Sequence, residues 1–534
     1  MKKVGKALAI LMVFALIATQ SLAACTIFAV GKDATVDGST IISHTCDSRG
    51  DDVRLWLIPS MAAGTVQDIV LNGRAGADYS QFPEVKDYGT GGMVLGSYTH
   101  DKDTNQYIHG MYSFMNDKGL AMGESTCGYD GSSEQGQKLK EVWGRYEGIL
   151  DCYMIQDLAL ETCSTALEAV EFMGAMIEEY GWNGAAECIN ITDGTDTWVL
   201  EAYGGHIWCA VRVPDNAVFV AANRCRIDYV DFEDEANFRA CDNLIDFALE
   251  TGLWDGEGEF QPNNVYAPNK EDNMGCTLRE WRALSNLCAD LDLDPYGDAD
   301  EYPLFVVPDE KVSVQTIKDL CSDYYQGTEF DISRTVNAGP FGDILHPNYV
   351  YRPTNMYNTT YFQVANVKAW LPEEARCLVW VGWGAPSVNY ITPVWASQTS
   401  FPYHFGQGLR TEPYNQDSGW WVATGVQQTA RINYETAIEI VKAARDPRLA
   451  DIYEQTAMIQ EVAGKMIEEG NKDAAVAMLT AFANSTATEW HELYKSLDSE
   501  LRSELMFGCV DMKVQTDPQW WTDIVNANLD NPRP

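Results

Sequence analysis

Cys25-Thr26-Ile27-Phe28-Ala29-Val30-Gly31-Lys32, with Asp37-Gly38-Ser39-Thr40 and His44-Thr45-Cys46-Asp47 behind it, is the stretch on which the reading of this chain turns. Thr26 to Val30 is a short apolar strand pattern. Asp37-Gly38 is a hairpin signal, and Thr40 to Ser43 returns beside the first strand. Cys25 stands at the head of that hairpin, where a secretory signal should be cut off. A cut just before it leaves one residue with both a thiol and a free α-amine. An α-amine titrates near pH ~8, so close to neutral pH a useful fraction of it is an unprotonated base. The thiolate is the attacking form of cysteine, and a neighbouring base supplies it. Cys25 then carries nucleophile and general base together.

Met1 to Ala24 reads as a signal peptide. Lys2, Lys3 and Lys6 form its positive region, and Ala7 to Ala18 an apolar stretch too short to span a bilayer. No later run is long and apolar enough for a membrane helix. An exported chain is expected: periplasmic, secreted or held at a bacterial cell surface. Cleavage after Ala24 puts Leu22 where a small residue is preferred. Cleavage after Ala23 puts Ser21 there but leaves Ala24 to be trimmed. Leu22-Ala23-Ala24-Cys25 is also a lipoprotein box, and a lipid anchor on the sulfur would consume the thiol. The two fates of Cys25 exclude each other on any one molecule, and both stay open at this point.

Composition narrows the classes. The 534 residues are 46% hydrophobic and 11% aromatic, enough for a large core and not for a disordered chain. With 37 basic against 78 acidic residues the formal charge is −41, which makes nucleic acid and anionic membrane surfaces poor partners. Setting Cys25 aside, 13 of the 14 cysteines remain, an odd number, so at least one further thiol is unpaired if the rest bridge. Cys152, Cys209 and Cys377 sit among apolar neighbours, the setting of a buried free thiol. No C-x-x-C pair or H-E-x-x-H is present and the 7 histidines are scattered, so neither a metal site nor a cofactor is expected.

The pattern along the chain predicts further strands over Arg54–Ile58, Gly91–Val94 and Tyr112–Met115, with a turn at 116–119 and pairing resumed over Leu120–Met122. Helical spacing of Leu150, Met154 and Leu158, then of Ala166, Ala169, Met173 and Met176, predicts two helices broken near 162–164. Strands follow at Cys188–Ile191, Trp198–Ala202, Trp208–Val213 and Ala217–Ala221. A helix is predicted over Ala236–Leu253, surface loops over Asp255–Asp300, and a helix over Lys311–Tyr324. Strands return at Leu378–Val381 and Tyr390–Val394, and Tyr434–Phe507 is helical. Strands, a helix pair, strands and then helices satisfy an α+β class with two antiparallel sheets between helices.

Cys25-Thr26, Val30-Gly31-Lys32, Asp37-Gly38-Ser39 and Asp47, with Ala338-Gly339-Pro340-Phe341-Gly342 and Trp370-Leu371-Pro372 further on, resemble peptidase family C69, the cysteine dipeptidases among the N-terminal-nucleophile hydrolases. The resemblance spans roughly Cys25 to Val394. It implies an αββα sandwich of two largely antiparallel sheets between helical layers, with the nucleophile at the end of a strand. It implies hydrolysis of dipeptides, so small peptides are the expected partners, and a homo-oligomer is expected. The chain divides on this reading into a signal peptide (1–24), a hydrolase domain (25–430) and a C-terminal helical region (431–534).

By the same resemblance Cys25 matches the nucleophile. Asp47 matches a carboxylate that holds the N-terminal residue, where an anion raises the proton affinity of the amine. Many relatives place an Arg three residues before this Asp; here His44 stands there, as a substrate-side cation or hydrogen-bonding group. Asn223 resembles an oxyanion-stabilising Asn, a role whose side-chain N–H contributes ~10²–10³ in rate. Ser125 falls where related amidases put a polar pocket residue, and Arg334 and Arg352 are the two candidates for a late cation. Two rival functions stand beside the dipeptidase: a related amidase of bile-salt or penicillin V type, and a surface lipoprotein that binds peptides or glycans.

Overall fold

A computed structural model describes residues 25–48, 53–70, 94–146, 148–269, 273–410, 412–510 and 513–530. The expected signal peptide and residues 91–93 of the expected strand Gly91–Val94 lie outside the described residues.

β1 (Thr26–Val30) and β2 (Thr40–Asp47) form the predicted hairpin, paired antiparallel with Thr26 opposite Thr45 and Val30 opposite Ile41. The turn is built locally. Asp37 Oδ1 accepts the Ser39 N–H at 3.2 Å, and Gly38 takes φ +83°, a conformation that suits a residue without a Cβ. Every residue of both strands is buried, so both faces of the hairpin are covered.

The remaining strands are β3 (Trp56–Ile58), β4 (Val66–Val70), β5 (Val94–Thr99), β6 (Tyr107–His109), β7 (Met115–Asn116), β8 (Ala121–Cys127), β9 (Ala186–Thr192), β10 (Thr197–Gly204), β11 (Ile207–Arg212), β12 (Val218–Ala221), β13 (Phe238–Ala240), β14 (Phe305–Val306), β15 (Thr359–Val367), β16 (Leu378–Trp383) and β17 (Thr392–Trp395). They make a seven-stranded sheet, β14-β12-β1-β2-β15-β16-β17, and an eight-stranded sheet, β13-β11-β10-β9-β8-β7-β6-β3; β4 and β5 pair with each other. The ladders are antiparallel throughout both sheets.

The two sheets stack with β1 and β2 against β8 and β9. Polar side chains bridge the apolar layer between them: Asn190 Nδ2 donates to the Phe28 and Ser43 carbonyls at 2.8 and 3.0 Å, and Gln363 Nε2 to the Met122 carbonyl at 2.8 Å. At Gly123 an added Cβ would meet Asn190 Oδ1 of the neighbouring strand at 2.6 Å and His44 Cβ of the facing sheet at 2.9 Å.

Helices cover both outer faces. Cys152–Thr162 starts on an Asp151 cap, Ala166–Tyr180 on a capping box from Thr165 and Glu168, and both lie on the eight-stranded sheet. Met274–Leu287, Val314–Cys321, Gly419–Ala430 and Lys472–Glu504 lie on the seven-stranded sheet. The long helix Tyr434–Glu468 joins that layer through Tyr453, whose ring meets Trp380 of β16 at 4.9 Å. The architecture is the expected αββα sandwich of α+β class, with the C-terminal helices docked on its β16–β17 side. No helix among the described residues is long and apolar enough to cross a membrane.

Several segments differ from expectation. Of the expected strand Tyr112–Met115 only Met115 is in a strand, and the helices Glu134–Trp143 and Gly419–Ala430 were not expected. Only Leu244–Thr251 of Ala236–Leu253 is helical; Phe238–Ala240 instead pairs with the otherwise open edge of β11. The supposed surface stretch Asp255–Asp300 contains the helix Met274–Leu287, whose buried residues include the charged Arg279 and Glu280. β15 was not anticipated: its Thr, Gln and Asn residues mask a strand that is buried along its whole length in the middle of a sheet. All 14 cysteines are free thiols, so no bridge pairs the residues around Cys25.

Candidate active site

Side chains alternate along β2. His44 turns toward Glu124 on the second sheet, and Asp47 turns toward Arg352 on the opposite face. Cys25 lies at the Asp47 end of this pair, immediately before β1. Its Sγ donates to Oε1 of Glu124 on β8 at 3.1 Å, and His44 Nε2 lies 3.1 Å from the same oxygen. Cys25, His44 and Glu124 are each 0% exposed. The His44 ring is held edge-on to Tyr112 and Tyr361, with centroids 5.4 and 5.6 Å away.

The charges in this cluster follow from burial and proximity. Burial opposes a charge on His44, but the Cys25 sulfur and the Glu124 carboxylate outweigh it and raise the imidazole to about 10. Burial likewise favours a neutral Glu124, but His44 outweighs it and keeps the carboxyl below its ordinary range. Glu187 on β9 is pushed far up by burial and by the Glu124 charge beside it, so it stays protonated and hydrogen-bonds to Glu124. A carboxylate, an imidazolium and a neutral carboxyl therefore surround the sulfur.

A second set of bonds surrounds the Cys25 backbone. Arg279, 1% exposed, donates Nη1 to the Cys25 carbonyl at 2.8 Å and to Thr26 Oγ1 at 2.9 Å. Its Nη2 donates to the Ala222 carbonyl at 3.0 Å and to Asn223 Oδ1 at 2.8 Å. The Asn223 N–H donates to Ser125 Oγ at 2.8 Å, and Ser125 Oγ donates to the Cys25 carbonyl at 3.3 Å. Asn223 Nδ2 donates to the Thr126 carbonyl at 2.7 Å. Asn223 adopts φ +63°, a left-handed conformation that Asn tolerates better than most residues and that is found at functional sites. The adjacent Glu280 accepts the Ala222 N–H at 3.1 Å, so one helix face anchors the end of β12.

Asp47 is gripped by Arg352 Nη2 at 2.8 Å and Thr359 Oγ1 at 2.7 Å. Burial raises its carboxyl to about 6 against the opposing pull of Arg352. Of the two late cations foreseen, Arg352 is therefore beside the site. Arg334 is half-exposed, pairs with Glu435 at 2.6 Å and lies over the Trp520 ring.

Cys25, His44, Ser125 and Asn223 come together through shared partners, and Asp47 lies one strand position beyond Cys46 at the same end. Glu124, Glu187 and Arg279 were not foreseen. Glu124 is one acidic residue among 78 Asp and Glu, and its signal was position: a carboxyl between Gly123 and Ser125 in an otherwise buried strand pattern. Arg279 was hidden by the polar composition around its helix. Chemically, the arrangement offers a thiol with acid–base groups at its sulfur and hydrogen-bond donors near its carbonyl. It also brings a sulfur, an imidazole nitrogen and a carboxylate oxygen, three metal-ligating atom types, within 4.8 Å of one another.

The sequence profile of peptidase family C69 matches residues 24–446. A probable dipeptidase of Salmonella dublin is 27% identical over 402 residues, 74% of this chain and 84% of that protein. A probable dipeptidase of Latilactobacillus sakei is 23% identical over 498 residues, 90% of this chain and 96% of that protein. Dipeptidase A of Lactobacillus helveticus is 24% identical over 476 residues, 83% and 90% of the two chains.

Proposed function

This chain belongs to peptidase family C69 and is a peptide-bond hydrolase, and we propose that it is an exported dipeptidase with Cys25 as its N-terminal nucleophile. Removal of Met1–Ala24 exposes the α-amine. The sulfur attacks the dipeptide carbonyl carbon, and the thiol proton passes to the amine. Negative charge develops on the carbonyl oxygen, where an amide N–H of Asn223 stabilises it. Collapse of the intermediate breaks the C–N bond, and the proton moves from the α-amine to the departing amino acid. Water then attacks the thioester, the α-amine takes its proton, and the second amino acid leaves as the thiol re-forms.

The observation that carries this reading is the Arg279 guanidinium, which bonds to both the Cys25 carbonyl and the Asn223 amide oxygen. Proposed nucleophile and proposed oxyanion donor are thus set against each other by one rigid group. Ser125 reinforces the same link from β8. Asp47, fixed by Arg352 and Thr359, supplies the anion at the Cys25 end of β2. His44, in the position where the family resemblance implies an Arg in many relatives, pairs with Glu124 inside the core, so we assign it to the setting of the sulfur rather than to direct substrate contact. The domain division at about residue 430 belongs to the same proposal, with the later helices as a layer added to the hydrolase sandwich.

The test is hydrolysis of a panel of dipeptides by the purified mature protein and by Cys25→Ala. Turnover by the wild type and none by a folded Cys25→Ala protein supports the reading. Cleavage of N-acyl amides in place of dipeptides selects the amidase alternative. A lipidated, inactive Cys25 selects the surface lipoprotein.

A further inference from the structure

Cys25, His44 and Glu124, which set the sulfur for hydrolysis, also converge as three metal-ligand atoms, and we infer that they form a capture site for Zn²⁺, completed by the α-amine of processed Cys25, that holds the enzyme reversibly off. The inference rests on the reading of Cys25 as the N-terminal residue.

The donor set is the first ground. Thiolate, imidazole and carboxylate are the ligand types that bind zinc, whereas magnesium and calcium prefer all-oxygen shells. Spacing is the second. In a tetrahedral zinc site with ordinary bond lengths, a sulfur and an oxygen ligand lie about 3.5 Å apart, and a nitrogen and an oxygen about 3.3 Å. Here the Sγ–Oε1 and Nε2–Oε1 separations are both 3.1 Å, and all three ligand atoms lie within 4.8 Å of one another. An opening of a few tenths of an ångström at these two separations, with sulfur and imidazole nitrogen set about 3.6 Å apart, admits the ion.

Support from the surroundings is the third ground. Glu187 hydrogen-bonds to Glu124, and Thr126 Oγ1 donates to Glu124 Oε2 at 3.3 Å. Such outer partners fix the orientation of a ligating carboxylate. The fourth ground is chemical. The α-amine is three bonds from Sγ, so amine and thiolate of one cysteine close a five-membered chelate ring on a metal. A peptide nitrogen at the same place, as in an unprocessed chain, has no comparable donor strength. Processing therefore creates the general base and the fourth ligand in one cut. Metal binding displaces the thiol and imidazolium protons to solvent and occupies both the nucleophile and the base. No bond is oxidised or reduced.

Co²⁺ is the probe, because its thiolate charge-transfer absorption and tetrahedral visible bands report the ligands directly. Mature protein freed of metal should bind one equivalent with both signatures, and Zn²⁺ should displace it. Dipeptide hydrolysis should fall with the same midpoint and return on adding EDTA. Glu124→Gln, His44→Gln and a chain retaining Ala24 should each bind Co²⁺ at least about tenfold more weakly. Wild-type protein alone is decisive if a buried variant fails to fold: a mature, active enzyme with no thiolate–Co²⁺ band at one equivalent overturns the site and leaves the nucleophile standing. Unchanged Co²⁺ affinity in folded Glu124→Gln and His44→Gln also overturns it. A normal Co²⁺ signature in a mature protein that hydrolyses no dipeptide in metal-free buffer supports the site and overturns the hydrolase reading instead.

Discussion

Arg279 and Cys25, 254 positions apart in the chain, are joined by a 2.8 Å hydrogen bond from the guanidinium to the Cys25 carbonyl. The same guanidinium reaches Asn223, so the helix Met274–Leu287 fixes the relative position of the two residues that the proposed chemistry needs. Arg279→Lys keeps the charge and loses the fork. It should lower kcat by about 10–100-fold with a smaller change in KM, because what is lost is positioning of transition-state groups. Steady-state kinetics on folded protein checks this; kcat within twofold of wild type would remove Arg279 from the site.

Gly123 sets the spacing of the sheets beside His44. Gly123→Ala places a methyl within 2.6 Å of Asn190 Oδ1 and 2.9 Å of His44 Cβ. Both neighbours are buried and hydrogen-bonded or ion-paired, so the clash is not relieved by a swinging side chain. A loss of about 1–3 kcal/mol of stability is expected from such overpacking, with activity falling further than stability because the shift is delivered to His44 and Glu124. Denaturant melts and kinetics on one preparation separate the two effects.

His44 and Lys318 give stability opposite pH dependences. The folded imidazole is raised to about 10 from 6.5, so its contribution is fully present below pH 6.5 and is lost as pH rises through 10. His44→Gln should therefore cost most near pH 6.5, by about 3 kcal/mol as for a broken buried pair, and progressively less toward pH 10. Thermal melts across this range that show a constant difference would exclude an imidazolium at His44.

Lys318 is 2% exposed, donates to the Pro386 carbonyl at 2.9 Å, and is lowered by burial to about 7 from 10.5. A lysine depressed in the folded state penalises folding fully below pH 7, and the penalty disappears as pH rises toward 10.5. Lys318→Met should stabilise the protein by on the order of a few kcal/mol near pH 6 and by little or nothing near pH 10. Equal stabilisation at both pH values would show that packing, not the buried charge, is what the substitution changes.

These predictions draw unequally on what the sequence shows. The hairpin around Cys25 is legible because its signals are local: an apolar strand, Asp37-Gly38, and a return strand. Cys25, Asp47, Ser125 and Asn223 were reached through spaced blocks resembling a family, and the structure gathers them at one end of the β1–β2 hairpin. Arg279 was not legible, because a helix that buries an Arg and a Glu has the composition of a surface helix. β15 was missed for a related reason: Gln363 and Asn366 make polar contacts inside the protein, and the sequence carries no mark of that burial. Glu124 needed the partner strand, since only the stacking of β8 against β2 shows that this one carboxylate faces His44 and Cys25.

The account stands or falls on the chemical state of Cys25 in active protein. An acylated amine or a peptide nitrogen has no useful basicity, so the mechanism requires removal of every residue before Cys25 and an unmodified sulfur. Intact-mass analysis of the active fraction measures both at once. The account predicts a chain whose first residue is Cys25, with free thiol and free amine. Full activity in protein that retains Ala24, or a diacylglyceryl adduct on the active fraction, would contradict it.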